Sequence, residues 1–183
     1  MKLYTFSLVL SGVNIDTPEL EDKLFEAGCD DGLICFYGST VYIEFDRESD
    51  NLKSAIMSAI KNVEQANVSA MVISVDAGDY VGLSDVSELT EISKQSIALL
   101  KDGKRGPGTF PNPVLRLTGR QPLWRWGEVA DWLAVHNKID SELADNARVI
   151  ESINLALEIR EPKKCDEIIA LADELNKNQA VYA

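Results

Sequence analysis

The chain has 183 residues, 45% of them hydrophobic and 26% charged, which is ordinary for a folded protein with one large or two small cores. No run approaches the ~20 consecutive apolar residues of a membrane-spanning helix, which sets a transmembrane role aside. The net charge of −12 argues against nucleic acid when read over the whole chain, but that charge is unevenly spread.

Residues 3–11 read as a strand, rich in β-branched and aromatic side chains and closed by Gly12. The segment LYTFSLVLSGV alternates polar and apolar residues and leads into acidic sequence, so a first strand is expected rather than a signal peptide. Thr17 and Pro18 form a helix start, as N-cap and first helical residue, for a helix with Leu20, Leu24 and Phe25 on one stripe up to Gly28. Leu33–Tyr37 and Thr40–Phe45 flank Gly38-Ser39 as a hairpin. Asp50 or Asn51 caps a second helix in which Leu52, Ile56, Ile60 and Val63 recur at helical spacing. Val68–Val75 supplies a last strand. The order β-α-β-β-α-β over residues 1–78 predicts an α+β domain of the split βαβ, ferredoxin-like kind. Such a platform suits dimerisation, sensing of a small-molecule effector or recruitment of a protein partner.

After the Ala77-Gly78-Asp79 junction, residues 79–136 predict a second domain. Ser84 caps a short helix with Val86 and Leu89 inward. Thr90-Glu91-Ile92 makes the turn, with Ile92 as an apolar plug. Ser93 caps the next helix, whose Ile97 and Leu100 point inward and whose Lys94, Gln95 and Ser96 lie exposed in the first turn. Lys101-Asp102-Gly103-Lys104-Arg105-Gly106-Pro107-Gly108 is cationic and glycine-rich. Phe110-Pro111-Asn112-Pro113-Val114 is held extended by its prolines. Val114–Leu117 and Leu123–Trp126 are expected to pair across Thr118-Gly119-Arg120. Val129, Trp132 and Leu133 mark a third helix, with Trp124, Trp126 and Trp132 read as core aromatics. This is the layout of a winged helix-turn-helix.

Charge singles out the same stretch. Residues 1–79 hold 14 acidic and 5 basic side chains and residues 137–183 hold 10 and 6, whereas 80–136 hold 6 and 7. Within 93–125 Asp102 is the only acid, against Lys94, Lys101, Lys104, Arg105, Arg116, Arg120 and Arg125. A concentrated basic patch on an acidic chain selects one docking orientation for a polyanion. Residues 137–183 are helical in composition with a break at Glu161-Pro162, giving a C-terminal helical hairpin over 139–160 and 163–178. Its second helix carries Ile168, Ile169, Leu171, Ala172 and Leu175.

Ser84–Ile97 resembles the helix-turn-helix of the MerR and phage-excisionase (AlpA-like) superfamily. FPNPVLRLTGRQPLWRWGEVADWL resembles that group's proline pair, glycine-arginine wing, aromatic-basic strand and following helix. The resemblance covers about 50 residues. It implies double-stranded DNA as the partner, bases read in the major groove by Lys94, Gln95 and Ser96 next to the Ser93 cap, and backbone gripped by Arg120 of the wing. Lys101, Lys104, Arg105, Arg116 and Arg125 join the expected DNA-binding set by charge. The chain departs from the family pattern at Glu91, where glycine is usual, at Ser87, where a small alanine is common, and in a longer connection after the second helix.

Catalysis has little to draw on. His136 is the single histidine, and Cys29, Cys35 and Cys165 have neither metal-ligand nor redox spacing. Gly103, Gly106 and Gly108 lack the lysine-serine of a phosphate-binding loop. Asp30-Asp31 and Glu44/Asp46 are read as a turn and an outward strand face. No cofactor or metal is expected. The composite expectation is a cytoplasmic, non-enzymatic, dimeric transcriptional regulator. Two competing readings stand beside it. One is a protein-interaction module, such as an antitoxin or mobile-element accessory factor, to which Glu91 and the acidic balance point. The other is a regulator sensing a metabolite through its first domain.

Overall fold

Alternation of apolar and polar residues along Lys2–Ser11 (β1) sends Phe6, Leu8 and Leu10 to one face of a sheet, where all three are buried. The computed structural model describes residues 1–76, 78–119 and 121–179. After β1 come α1 (Leu20–Glu26), β2 (Gly32–Tyr37), β3 (Thr40–Ser49), α2 (Leu52–Gln65) and β4 (Met71–Asp76). Then follow β5 (Tyr80–Val81), α3 (Leu83–Thr90), α4 (Lys94–Lys101), β6 (Trp124–Arg125), α5 (Trp126–Val135), α6 (Ser141–Ile159) and α7 (Pro162–Gln179). The protein is therefore mixed α+β. It divides into two compact units, Met1–Asp76 with Ser152–Ala183, and Ala77–Glu151.

The first unit is built on an antiparallel sheet of order β2-β3-β1-β4. Val41, Ile43 and Phe45 of β3 and Val72 and Val75 of β4 join the β1 residues on the buried face. Against them lie Leu20 and Leu24 of α1 and Ala55, Ile56, Ala59, Ile60 and Val63 of α2, all buried. Gly38 at φ 61° gives the β2–β3 hairpin the positive backbone angle that a two-residue turn requires. Asn51 is the α2 cap, its side chain accepting from the Ser54 N–H at 2.8 Å. The first helix departs from expectation. It starts at Leu20 after a left-handed Glu19, because the Thr17 hydroxyl accepts from the Asn14 N–H and closes a turn instead of capping a helix. Phe25, expected on the inner stripe, is exposed, and β4 begins at Met71 rather than Val68.

A buried arginine ties this unit together. Arg47 of β3 makes a two-nitrogen fork to Asp31, with both contacts at 2.7 Å, and donates to Ser58, Asn62 and the Gly28 carbonyl. Its guanidinium lies 4.9 Å from the centre of the Phe45 ring. Its hydrogen bonds to the Asp31 carboxylate raise its pKa further above the ordinary arginine value. Sequence pattern places Arg47 at an inward strand position but offers no partner for it. Asp31, read as a turn residue, is that partner.

The C-terminal residues depart most from expectation. Residues 137–183 form no third unit, since α6 contributes its first half to the second unit and its remainder to the first. Within the first unit, Asn154 accepts from the Val75 N–H at 2.7 Å and donates to the Val75 carbonyl at 3.0 Å. Arg160 donates to Glu64 at 2.6 Å and to the Val72 carbonyl at 2.7 Å, while Glu64 accepts from the Val72 N–H at 3.1 Å. These side chains occupy backbone groups of β4 that a further strand would otherwise use. Replacing Asn154 with leucine should cost about 1–3 kcal/mol, because two backbone groups of a buried residue lose their partners. A urea titration of the first unit checks this; no loss would show that water replaces the amide there. Pro162, expected within the break, is instead the first residue of α7, a position where its missing N–H costs nothing. The expected hairpin does not bury its second helix: Ile169, Leu171 and Leu175 are 53–67% exposed.

Candidate nucleic-acid interface

The second unit assembles around Val81, Val86, Ile97, Leu100, Trp124, Trp126, Val129, Ala130, Leu133, Ala144 and Ala147. Helix α3 is capped two residues before the expected Ser84. Gly82 is its cap position, with its N–H bonded to the Asp85 carboxylate at 2.8 Å. Val86 is buried as expected, but Leu89, expected inside, is 42% exposed. At the far end the Thr90 hydroxyl donates to the Val86 carbonyl and accepts from the Ile92 N–H. Glu91 follows in the left-handed region at φ 57°. That conformation brings α3 to a stop and turns the chain into α4 within three residues.

Ser93 caps α4 as its sequence position implies, accepting from the Ser96 N–H at 3.3 Å and donating to the Ser96 hydroxyl at 2.9 Å. Ile97 and Leu100 are buried, which leaves Lys94 and Gln95 exposed and Ser96 half-buried in the first turn. The C-terminal carbonyls of α4 are taken by the loop that follows. Gly103, at φ 65°, allows the N–H groups of Lys104 and Arg105 to reach the Leu99 carbonyl at 3.0 and 3.1 Å.

The Gly/Pro segment is anchored, contrary to the flexible wing its composition suggests. The Phe110 ring meets Trp124 edge-on at 6.4 Å and Trp132 at 5.2 Å. Trp124 Nε1 donates to the Pro111 carbonyl at 2.9 Å, and Trp132 Nε1 to the Thr109 hydroxyl at 3.1 Å. Three aromatic rings thereby fix both ends of residues 109–111, which leaves the cationic turn before them as the protruding part. His136 stacks on Trp132 at 4.2 Å, in a packing role.

Strand pairing also differs from expectation. Residues 114–117 and 123–126 meet at a single bridge, Leu115 with Leu123. Trp124 and Arg125 pair instead with Val81 and Tyr80, and Trp126 already begins α5. Burial decides this, because placing Trp124 and Trp126 in the core turns the chain toward Tyr80–Val81 before a longer hairpin can extend.

The cationic residues do not form one uniform surface. Lys94 Nζ donates to the Ser84 hydroxyl at 2.6 Å. Lys94 shares a groove of about 230 Å³ with Ser84, Asp85, Arg116 and Gln121. The groove thus brings together the first turns of α3 and α4 and the turn after Leu115. Two cations and the N-terminus of α3 outweigh one carboxylate there. Lys101 and Lys104 converge on Asp102, whose pKa is lowered chiefly by its hydrogen bond from Lys101. Arg105 is exposed beside them. Arg125 is turned away from this set. It lies 3.3 Å from Glu151 and 4.0 Å from Glu128, with its guanidinium 5.7 Å from the Tyr80 ring. Arg120 lies outside the described residues. Sequence reasoning missed Ser84 and Gln121 as groove residues; only the fold brings them beside Lys94.

Glu91 is exposed and close in sequence to the α4 start. Glu91→Gly should stabilise the second unit by about 0.5–1 kcal/mol by relieving the left-handed backbone. Glu91→Gln should leave stability unchanged. Thermal unfolding followed by tryptophan fluorescence separates the two, and equal behaviour would refute the strain.

Among the described residues no group of three or more His, Cys, Asp or Glu gathers as a metal site, and no helix is long and apolar enough to cross a membrane. Compared with protein-family models, curated proteins and solved structures, the chain matches none.

Proposed function

We propose that residues 83–133 are a winged helix-turn-helix of the MerR and phage-excisionase kind, and that the protein binds double-stranded DNA sequence-specifically to regulate transcription. One observation carries this reading. Lys94 in the exposed first turn of α4 and Arg116 line one groove, and both belong to a sequence window (93–125) with seven basic residues and a single acid on a chain of net charge −12. A helix presented by its N-terminal turn suits the major groove, where Gln95 pairs with adenine and Lys94 with guanine or phosphate. The turn of Lys101, Lys104 and Arg105 and the Arg120 segment serve as backbone contacts. In the first unit, the strand order β2-β3-β1-β4 with two covering helices supports a ferredoxin-like assignment.

The test is sequencing of fragmented genomic DNA retained by the purified protein at ~150 mM salt, beside a Lys104/Arg105/Arg120 triple alanine variant. Enrichment of a defined site by the wild type alone is expected. The variant should bind all sequences more weakly, with the salt slope of log affinity reduced by about 0.9 per lost phosphate contact. Gln95→Ala should change which sequence is preferred, and an unaltered preference would refute base reading by that residue. No enrichment by either protein overturns the DNA reading. It would favour the second reading, an interaction module, for which the exposed apolar residues of α7 are the specific support.

A further inference from the structure

The two edges of the four-stranded sheet are treated differently. On β4, Val72 and Val75 have their backbone groups occupied by Glu64, Asn154 and Arg160. On β2 the register decides which groups face outward. Asp46 donates its N–H to the Asp31 carbonyl at 3.1 Å, and the antiparallel register proceeds from there. Backbone-bonded and non-bonded pairs alternate, so Leu33/Glu44, Cys35/Tyr42 and Tyr37/Thr40 are the bonded pairs. The N–H and C=O of Ile34 and Phe36 therefore point away from β3. Gly32, of the same parity, turns its N–H to the Cys29 carbonyl at 3.0 Å. Among the described residues no side chain hydrogen-bonds the outward groups of Ile34 or Phe36.

This edge also lacks the usual protection. Its sequence, Gly-Leu-Ile-Cys-Phe-Tyr, contains no charge and no proline, and its pairing with β3 has no bulge. Leu33 is 64% and Tyr37 83% exposed, and Phe36 and Phe25 are exposed as well. These apolar side chains lie in the most acidic part of the chain, where a charged surface would be the default.

We propose that β2 pairs antiparallel with β2 of a second copy across a two-fold axis, joining two sheets into one of eight strands. Three features select a second copy. The register that opposes Ile34 to Phe36 of the second copy engages the N–H and C=O of both residues on both chains. Antiparallel pairing also puts Asp30 and Asp31, just before the strand start, at the Gly38 end of the second copy's β2, so the acids of the two copies do not meet. A parallel pairing would align them with their own counterparts. Finally, a groove of about 340 Å³ runs beside β2, lined by Leu24, Phe25 and Ile34 with Glu21 and Asp22 at its rim. Phe36 of the second copy, opposite Ile34, is delivered to that groove.

The axis falls at Cys35, which opposes itself as a non-hydrogen-bonded pair. Such pairs hold Cα atoms about 4.5 Å apart, within the roughly 4.4–6.8 Å range of disulfides. This makes Cys35 a reporter of register. The inference rests on the first unit alone and stands or falls separately from DNA binding.

The experiment is light scattering of the full chain under reducing conditions, followed by incubation in a glutathione redox buffer and non-reducing electrophoresis. A dimer is expected. Oxidised glutathione should take up the two thiol hydrogens as two Cys35 thiols join, giving a covalent dimer that Cys165→Ser retains and Cys35→Ser abolishes. Phe36→Lys should give a monomer with unchanged circular dichroism. If that variant unfolds, Ile34→Pro removes one outward N–H at a position where an edge strand tolerates proline. A monomeric wild type overturns the proposal. So does a dimer that survives Phe36→Lys and cross-links through Cys165, which would place the interface on α7.

Discussion

Replacing Arg47 with alanine should destabilise the first unit by about 3–5 kcal/mol, the range for breaking a buried ion pair by removing one partner. The truncation leaves the Asp31 carboxylate without its fork and removes the donor shared by Ser58, Asn62 and the Gly28 carbonyl. Those groups come from the end of α1, the entry to β2, and α2, so one side chain joins three elements to β3. Cys29 supplies the readout. It is buried, and burial pushes its thiol up to about 11, so it should react slowly with a thiol reagent until the unit opens. In a Cys35→Ser/Cys165→Ser background, Arg47→Ala should expose Cys29 at far lower urea. An Arg47→Met/Asp31→Leu double substitution should recover much of the loss, because an apolar pair of similar volume removes the uncompensated charge. If the single variant costs under about 1 kcal/mol, the pair is sufficiently hydrated to be a surface bridge in energetic terms.

Trp124→Ala should destabilise the second unit by a similar amount, about 3–5 kcal/mol, by opening a cavity among Val81, Ile97, Leu100 and Val129. Trp124→Phe separates the ring from its N–H. It should retain most of the core while losing the 2.9 Å bond that holds the Pro111 carbonyl. All three tryptophans lie in the second unit, so intrinsic fluorescence follows that unit alone. The expected result is an earlier fluorescence transition for Trp124→Ala with Cys29 protection unchanged. Under the proposed function, Trp124→Phe should weaken DNA binding through the loosened 104–110 turn without altering sequence preference. A changed preference would mean that the loop, rather than α4, reads bases.

Strict periodicity was the legible part of this chain. The order of strands and helices in residues 1–76 follows from alternation and helical spacing, because one face of each element must be buried. Asn51 and Ser93 were readable as caps since a capping side chain acts within three residues of itself. Glu91 was marked as the left-handed turn residue only through the resemblance, in which glycine is usual at that position, and its φ of 57° lies in that region. Thr17 and Ser84 satisfy local capping rules, but competing local bonds prevailed: Thr17 closes a turn with the Asn14 N–H, and Asp85 takes the Gly82 N–H. Leu89, at an inward helical spacing, is 42% exposed. The 114–126 hairpin gave way to a tertiary pairing, as burial of Trp124 and Trp126 recruited Tyr80–Val81 to the strand.

By itself the sequence determined the mixed α+β character, the two-helix layout of residues 83–101 and the concentration of positive charge between 93 and 125, since each is a local property of composition or period. Only the tertiary structure decided which cations share a groove. Lys94 meets Arg116 and Gln121, Lys101 and Lys104 are drawn to Asp102, and Arg125 is held by Glu128 and Glu151. It also decided that α6 serves both units and that Asn154 and Arg160 occupy the β4 edge while β2 keeps its own unpaired. The bridges to Asp102 and Glu128 are local, but the joining of Lys94 with Arg116, Arg125 with Glu151, Asn154 with Val75 and Arg160 with Val72 spans tens of positions, and no period or spacing in a linear sequence encodes the distance between them.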